Sequence, residues 1–263
     1  MSAIARFPSE RLAVATLRER PGLRAQLFSA EFAAAWPEFM RHDPIAALYY
    51  GTDALDRYVD FALAAVDREE PDRVIARGFS VPIAFRDGTA GRNELPAGGW
   101  GAVISWADAD WRAGRRPTVV SALEITVLPP YRGRGISQLM LAEMIANMWE
   151  RGFGDLYAPI RPSDKHKEPL VPFADYVART RDDGMPLDPW LRTHVRAGAR
   201  VVGIAARSMI VAGTIAEWRE WTGLRFDEGG DVVVPGALSP VHVSLEHDHA
   251  VYVEPNLWVH HRI

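Results

Sequence analysis

The stretch "VLPPYRGRGIS", Val127 to Ser137, decides how this chain is read. It separates a run of strand character, "PTVVSALEI", from a run of helical character, "SQLMLAEMIANMWE". Pro129 and Pro130 end the strand, because neither has an N–H to give a sheet ladder. The helix then starts behind Gly133 and Gly135, which leave its first backbone N–H groups unobstructed by side chains. The helix dipole and the guanidinium groups of Arg132 and Arg134 add positive charge at the same place. That arrangement suits an anion, a pyrophosphate in particular. On these residues alone a plain glycine turn with solvated arginines stays open.

Spacing removes the commoner phosphate loops. A Walker loop needs Lys-Ser/Thr after its second glycine, and Ile136-Ser137 follows here. A dinucleotide fingerprint needs a third glycine where Gln138 stands. RNA-binding arginine-glycine tracts are longer and disordered, whereas this one lies between ordered patterns. The 263 residues are 48% hydrophobic and 24% charged, with a formal net charge of -4. Such a composition fits a soluble protein with a sizeable core and argues against a dedicated nucleic-acid binder. There is no cysteine, which excludes disulfides, cysteine-ligated zinc and a thiol nucleophile. "MSAIARFPSERLAVATLRER" is broken by charge and Pro8 before a signal-type core can form, and no apolar run is long enough to span a bilayer. The expectation is a soluble, cytoplasmic protein with neither nucleic-acid nor membrane partners.

The stretch resembles motif A of the GNAT superfamily, the acyl-CoA-dependent N-acyltransferases. That motif is a strand ending in Val, then Arg/Gln-x-x-Gly-x-Gly/Ala opening a long helix. Val127, Arg132 and Gly135 match it, and Ser137 stands where Gly or Ala is usual. The resemblance implies an α/β GNAT fold, with a mixed, mostly antiparallel sheet flanked by helices and splayed around motif A. It implies one domain over 1–263 with a loop insertion at about 161–187. It also implies that Arg132, Gly133, Arg134, Gly135, Ile136 and Ser137 hold the CoA pyrophosphate. Ile125, Thr126 and Val127 would meet the pantetheine arm through their backbone. The implied activity is direct transfer of an acyl group, acetyl by default, from acyl-CoA to a small-molecule amine without a metal. A CoA-binding protein without catalysis and an O-acyltransferase are the alternatives, and a homodimer is left open.

Acyl transfer to an amine calls for a base, and Glu124, on the strand before the motif, is the candidate. Alternation places it off the face that Leu123 and Ile125 share; an exposed glutamate paired with arginine is the competing account. Many GNAT members use a tyrosine on the fourth helix to protonate the thiolate. The matching position here is His194, with Tyr157 and Tyr176 as replacements. Arg161 ends the fifth strand at the cleft the resemblance implies, where it can meet an acidic acceptor or a phosphate. Lys165 and Lys167 read as a solvated charge run. His247, His249, His260 and His261 read as surface residues without metal-site spacing. Trp190, Trp218, Trp221 and Trp258 build core or line the acceptor pocket.

Among local elements, residues 11–16, "DRVIARGFSVPIAFR", "PTVVSALEITVLP" and "DLYAPIRP" are expected as strands, and 136–151 as an amphipathic helix. "SAEFAAAWPEFMRHD" is expected as a short helix interrupted by Pro37, and "DPWLRTHVRAG" as a helix capped by Asp188. "TDALDRYVDFALAAVDREE" reads as a helix with Thr52 at its N-cap, "GWGAVISWA" as a strand, and the remainder from Ala199 mainly as strand.

Overall fold

The computed structural model describes residues 6–51, 54–88 and 90–262. Nine strands make one mixed sheet: β1 Leu12–Thr16, β2 Ala62–Asp67, β3 Glu70–Ile83, β4 Val119–Val127, β5 Asp155–Ile160, β6 Arg200–Gly213, β7 Gly230–Val232, β8 Val241–Ser244 and β9 His249–Arg262. Their order is β1-β2-β3-β4-β5-β9-β8-β7, with β6 also paired to β9. Every pairing is antiparallel except β4 with β5. Helices α1 Arg24–Leu27, α2 Ala30–Ala33 and α3 Ala47–Tyr50 are single turns. The longer ones are α4 Gly99–Arg112, α5 Ile136–Glu150, α7 Pro189–Arg196 and α8 Ile215–Thr222, with α6 Phe173–Val177 short again.

The expected helix over "TDALDRYVDFALAAVDREE" is instead a 3-10 turn, Leu55–Tyr58, followed by β2. Ala62, Ala64 and Val66 belong to one core cluster, and Leu63 and Ala65 to the other. A strand buried on both faces loses the polar alternation that would mark it, so its apolar residues fall by chance at helical spacing. Thr52 lies outside the described residues. The opposite error occurs at "GWGAVISWA", which starts α4. Val103, Ile104, Ala107 and Asp110 are buried there, a helical stripe. Asp110 ties that stripe to the end of β3, accepting from the Ala84 N–H at 2.8 Å and Arg92 at 2.7 Å.

Helix α8 was hidden in the C-terminal strand reading, although "TIAEW" carries its signal. The Thr214 hydroxyl accepts from the Glu217 N–H and the Glu217 carboxylate accepts from the Thr214 N–H, a capping box, and Gly223 closes the helix at φ +70°. "SAEFAAAWPEFMRHD" is shorter in helix than expected: α2, then a 3-10 turn at Glu38–His42 beyond Pro37. Helix α5 lies on one face of the sheet, with Ile136, Met140, Met144 and Met148 against Val120 and Val127; α4 and the N-terminal turns cover the other.

Where α4 presses on β6 the backbone approach is closest at Gly99. A Cβ there would stand 2.7 Å from Ser208 Cβ and 2.9 Å from Ala205 Cβ. Gly99→Ala should therefore cost about 3 kcal/mol in denaturant unfolding, the overpacking range. An unchanged midpoint would contradict this packing of α4.

Candidate functional site

Strands β4 and β5 pair only at Val120 with Leu156 and at Ser121 with Tyr157. Beyond that point they diverge, β4 staying on β3 and β5 on β9. The gap opens a cleft of about 950 Å³ whose wall includes Ala122 to Val127, the glycine loop, Ala158 to Arg161, and His194. In an antiparallel ladder every second residue points its N–H and C=O away from its partner. On the diverging part of β4 those groups face the opening.

A β-bulge sets the side chains. Phe79 pairs with Glu124 and Ser80 with Ala122, so Leu123 has no partner across the ladder. The expected shared face of Leu123 and Ile125 is thereby broken: Leu123 packs in the cluster of Tyr49 and Phe79, Ile125 in that of Met140 and Met144. Glu124 turns to the former side and is buried at 9% exposure, not exposed. Its Oε1 accepts from Arg77 Nε at 2.6 Å and from the Thr126 hydroxyl, and its Oε2 accepts from the Tyr50 hydroxyl at 2.8 Å. Arg77 also donates to the Leu27 carbonyl and lies over the Phe32 and Phe79 rings at 4.9 and 5.2 Å. Burial and the charge of Glu124 push Tyr50 well above the usual phenol range, so it stays a neutral donor.

In the loop, Gly133 and Gly135 adopt φ of +73° and +84°, the left-handed region open to glycine. Gly135 is the N-cap of α5 and brings no side chain to cap it. Gly133, Gly135, Ile136 and Ser137 all line the cleft. Arg132 donates from Nε to the Val127 carbonyl at 2.9 Å and lines it too. Arg134 instead lies over the Phe7 ring, and its carbonyl accepts the Phe7 N–H at 2.8 Å. Arg6 approaches from the same segment: a Cβ on Gly135 would stand 3.3 Å from its Nε.

Helix α7 carries His194, held as expected by Asp188, whose carboxylate accepts from the Trp190 and Leu191 N–H groups. His194 is buried at 2% exposure, with Nδ1 2.9 Å from His261 Nε2. Burial first, then His261, brings it down to about 3, so it is neutral at pH 7. His260 and His261 are buried, contrary to the surface expectation: His260 stacks on Tyr157 at 4.4 Å and meets Asp155 at 2.6 Å. His247 and His249 are exposed, but His247 sits in the turn before β9 instead of on a strand. Tyr176 donates to Asp188, and Tyr157 packs between Phe85 and His260. Lys165, expected in solvent, is 1% exposed and donates to the Glu168 and Leu238 carbonyls. Lys167 is exposed beside Asp164. Trp218 and Trp258 are core, Trp190 lines the cleft against His194, and Trp221 stacks on His42. Arg161 lines the cleft and pairs with Glu254 at 2.9 Å.

Tyr50, Arg77 and Glu254 were not singled out from sequence. The available signal was a charge inside an apolar strand run, "VIARGF" for Arg77 and "VYVEPNLW" for Glu254. Among the described residues no group of three or more His, Asp or Glu is placed to hold a metal ion, and no helix is long and apolar enough to cross a membrane.

No family model matches the chain. It is 33% identical over 276 residues to the arginine N-acetyltransferase avaD of Aspergillus versicolor, covering 94% of this chain and 93% of that protein. The GphF GNAT-like decarboxylase in complex with isobutyryl-CoA superposes with a TM-score of 0.52 at 16% identity, over 96% of this chain and 98% of that one. The loading GNATL domain of CurA from Lyngbya majuscula gives 0.48 at 13% identity, over 95% and 97%. The likeness to GphF is one of fold.

Neutral His194 has a consequence for stability. Its folded value lies below the unfolded one of about 6.5, so the unfolded chain takes up the proton first as pH falls. The contribution is complete above about 6.5 and is lost progressively toward about 3. Between pH 7 and pH 5 the wild type should lose about 2 kcal/mol more than His194→Gln, measured by denaturant unfolding at each pH. Parallel pH profiles would show that His194 is not held neutral.

Proposed function

The chain belongs to the GNAT superfamily and is an acyl-CoA-dependent N-acetyltransferase, and from that premise we propose that its acceptor is a small amine, arginine in the first instance. The observation that carries this reading is Glu124, a buried carboxylate in the wall of the splay, held by Arg77, Tyr50 and Thr126. The name of the Aspergillus versicolor relative supports arginine as the acceptor.

The glycine loop and the diverging edge of β4 suit CoA. Left-handed Gly133 and Gly135 bare the start of α5 for a pyrophosphate, and Arg132 and Arg6 bring positive charge to it. The outward backbone groups within Ile125 to Val127 would pair with the amides of the pantetheine arm. Arg134 contributes its backbone, since its side chain is spent on Phe7. Bound there, acetyl-CoA supplies an activated acyl carbon.

The protein's own part is to prepare the amine. A guanidinium keeps its proton at neutral pH and is no nucleophile, so arginine would react through its α-amine. Glu124 accepts the ammonium proton, directly or through the hydroxyl of Tyr50, which already bonds its Oε2. His194, neutral and on the opposite wall, takes a hydrogen-bonding role toward the departing sulfur, and is too weakly basic to wait there as an imidazolium.

Arginine-dependent thiol release from acetyl-CoA tests the acceptor, and its absence with wild-type protein would sink arginine. Glu124→Gln should lower kcat roughly 100-fold while calorimetry shows acetyl-CoA binding little changed. Full turnover in that variant would refute the base assignment. Gly135→Val forces a branched side chain into the left-handed region at the loop and should weaken acetyl-CoA binding at least about 10-fold. Unaltered affinity would place CoA elsewhere.

A further inference from the structure

The wall of the cleft built from the end of β5 and from β9 holds a second buried ion pair. Arg161 gives Nε to Glu254 Oε2 at 2.9 Å and Nη2 to the Gly236 carbonyl. Glu254 is 2% exposed and is engaged further by the Tyr252 hydroxyl at 2.7 Å and by Asn256 Nδ2 at 3.1 Å. The carboxylate is thus surrounded by protein donors. Of the guanidinium nitrogens, Nε and Nη2 carry these bonds, the Tyr252 hydroxyl lies beside the head, and the Arg161 side chain keeps 20% exposure on the cleft wall, with Nη1 left over. Nothing in the handling of CoA or in the proton path through Glu124 and Tyr50 calls on this pair.

Trp36 belongs to the same corner. Pro37 packs on Gly236 so closely that a Cβ there would meet Pro37 Cγ at 2.7 Å, and the Gly236 carbonyl is the one Arg161 binds. Trp36 lines the cleft, and its Nε1–H is buried without an acceptor among the described residues. Buried indole N–H groups normally have a partner. Arg161 and Trp36 thus both line the cleft, joined through Pro37 and Gly236, and each carries a donor with no acceptor among the described residues.

We propose that this corner binds a carboxylate of the acceptor, through Arg161 Nη1 and Trp36 Nε1, so that the enzyme's acceptors are amino acids and not simple amines. The inference rests on the reading that the cleft is the amine site. It commits to a carboxylate instead of a phosphate because Glu254 already offsets the charge of Arg161. A singly charged, planar anion meeting the remaining guanidinium nitrogen suits a cation already half-neutralised better than a dianion does. Glu254 acts as a positioning residue, turning the Arg161 head so that its free edge meets the ligand. Since the carboxylate is one carbon from the α-amine, holding it also fixes where the nucleophile stands.

The test is steady-state acetylation of amino acids paired with their decarboxylated amines: arginine with agmatine, ornithine with putrescine, phenylalanine with phenethylamine. Wild-type protein should prefer the amino acid in its best pair by roughly 100-fold in kcat/KM, through KM. That ratio should fall at least 10-fold in Arg161→Lys, which keeps the charge and loses the fork, and should also fall in Trp36→Phe, which keeps the ring and loses the N–H. A wild-type ratio near 1 overturns the proposal, as does a loss in both variants that is equal for the two members of a pair. The two readings fail separately. Turnover of another amino acid but not arginine would remove arginine and keep the carboxylate site. Equal turnover of arginine and agmatine would do the reverse, and no turnover of any pair overturns both.

Discussion

Two residue pairs are all that join β4 to β5, and the rest of the site depends on that brevity. A sheet that opens in its middle strands the backbone N–H and C=O groups of both strands, and a buried unpaired group costs about 1–3 kcal/mol. The protein tolerates the opening because each strand is anchored on its far side. β4 is held by β3 from Val119 to Val127, and β5 by β9 along its whole length. The bulge at Leu123 adds local twist where the two must part. It also turns Glu124 toward Tyr50 and Arg77, so the distortion that opens the sheet is the one that aims the carboxylate.

Each side of the opening carries a buried arginine–glutamate pair, Arg77 with Glu124 and Arg161 with Glu254. Such pairs are poor sources of stability, because desolvation of both charges offsets their attraction. Removing one partner, by contrast, leaves an uncompensated charge at a cost of about 3–5 kcal/mol. Their persistence in a cleft wall is better explained by what they orient. Both carboxylates are met by a tyrosine hydroxyl as well as an arginine. Arg132, whose Nε binds the Val127 carbonyl and no carboxylate, lies at the glycine loop, where phosphates are expected.

How much of this could be read from sequence depended on how local the signal was. The loop from Val127 to Ser137 was legible because prolines, glycines and a helix start are short-range instructions; β4 and α5 flank it, and α7 was legible from its own cap at Asp188. Glu124 was found, but its orientation was not, since a one-residue bulge is set by the β3 ladder and leaves no mark in "ALEIT". Strand β2 was lost to a helix because burial on both faces erases alternation, and α4 was lost because "GAVIS" is apolar and β-branched while its helical stripe extends over Ala107 and Asp110. Tyr50, Trp36 and Glu254 come to the cleft from segments far apart in the chain. Only the closing of the sheet brings them together.

On the proposed reading His194 stands where many GNAT members carry a tyrosine, and its surroundings fit that exchange. A thiol of ordinary acidity, about 8.5, is a competent leaving group near neutral pH and needs little help from an acid. The amine, by contrast, must surrender a proton before it can attack. The demanding end of the reaction is, on the proposed reading, the base, Glu124, a carboxylate that accepts from three donors. His194, the group proposed to face the sulfur, is a neutral imidazole paired with a second imidazole on β9 and set edge-on to Trp190. That pairing fixes the orientation of the His194 ring without charging it. In the proposed role, a ring so held meets the departing sulfur through a hydrogen bond without itself bringing a charge to it.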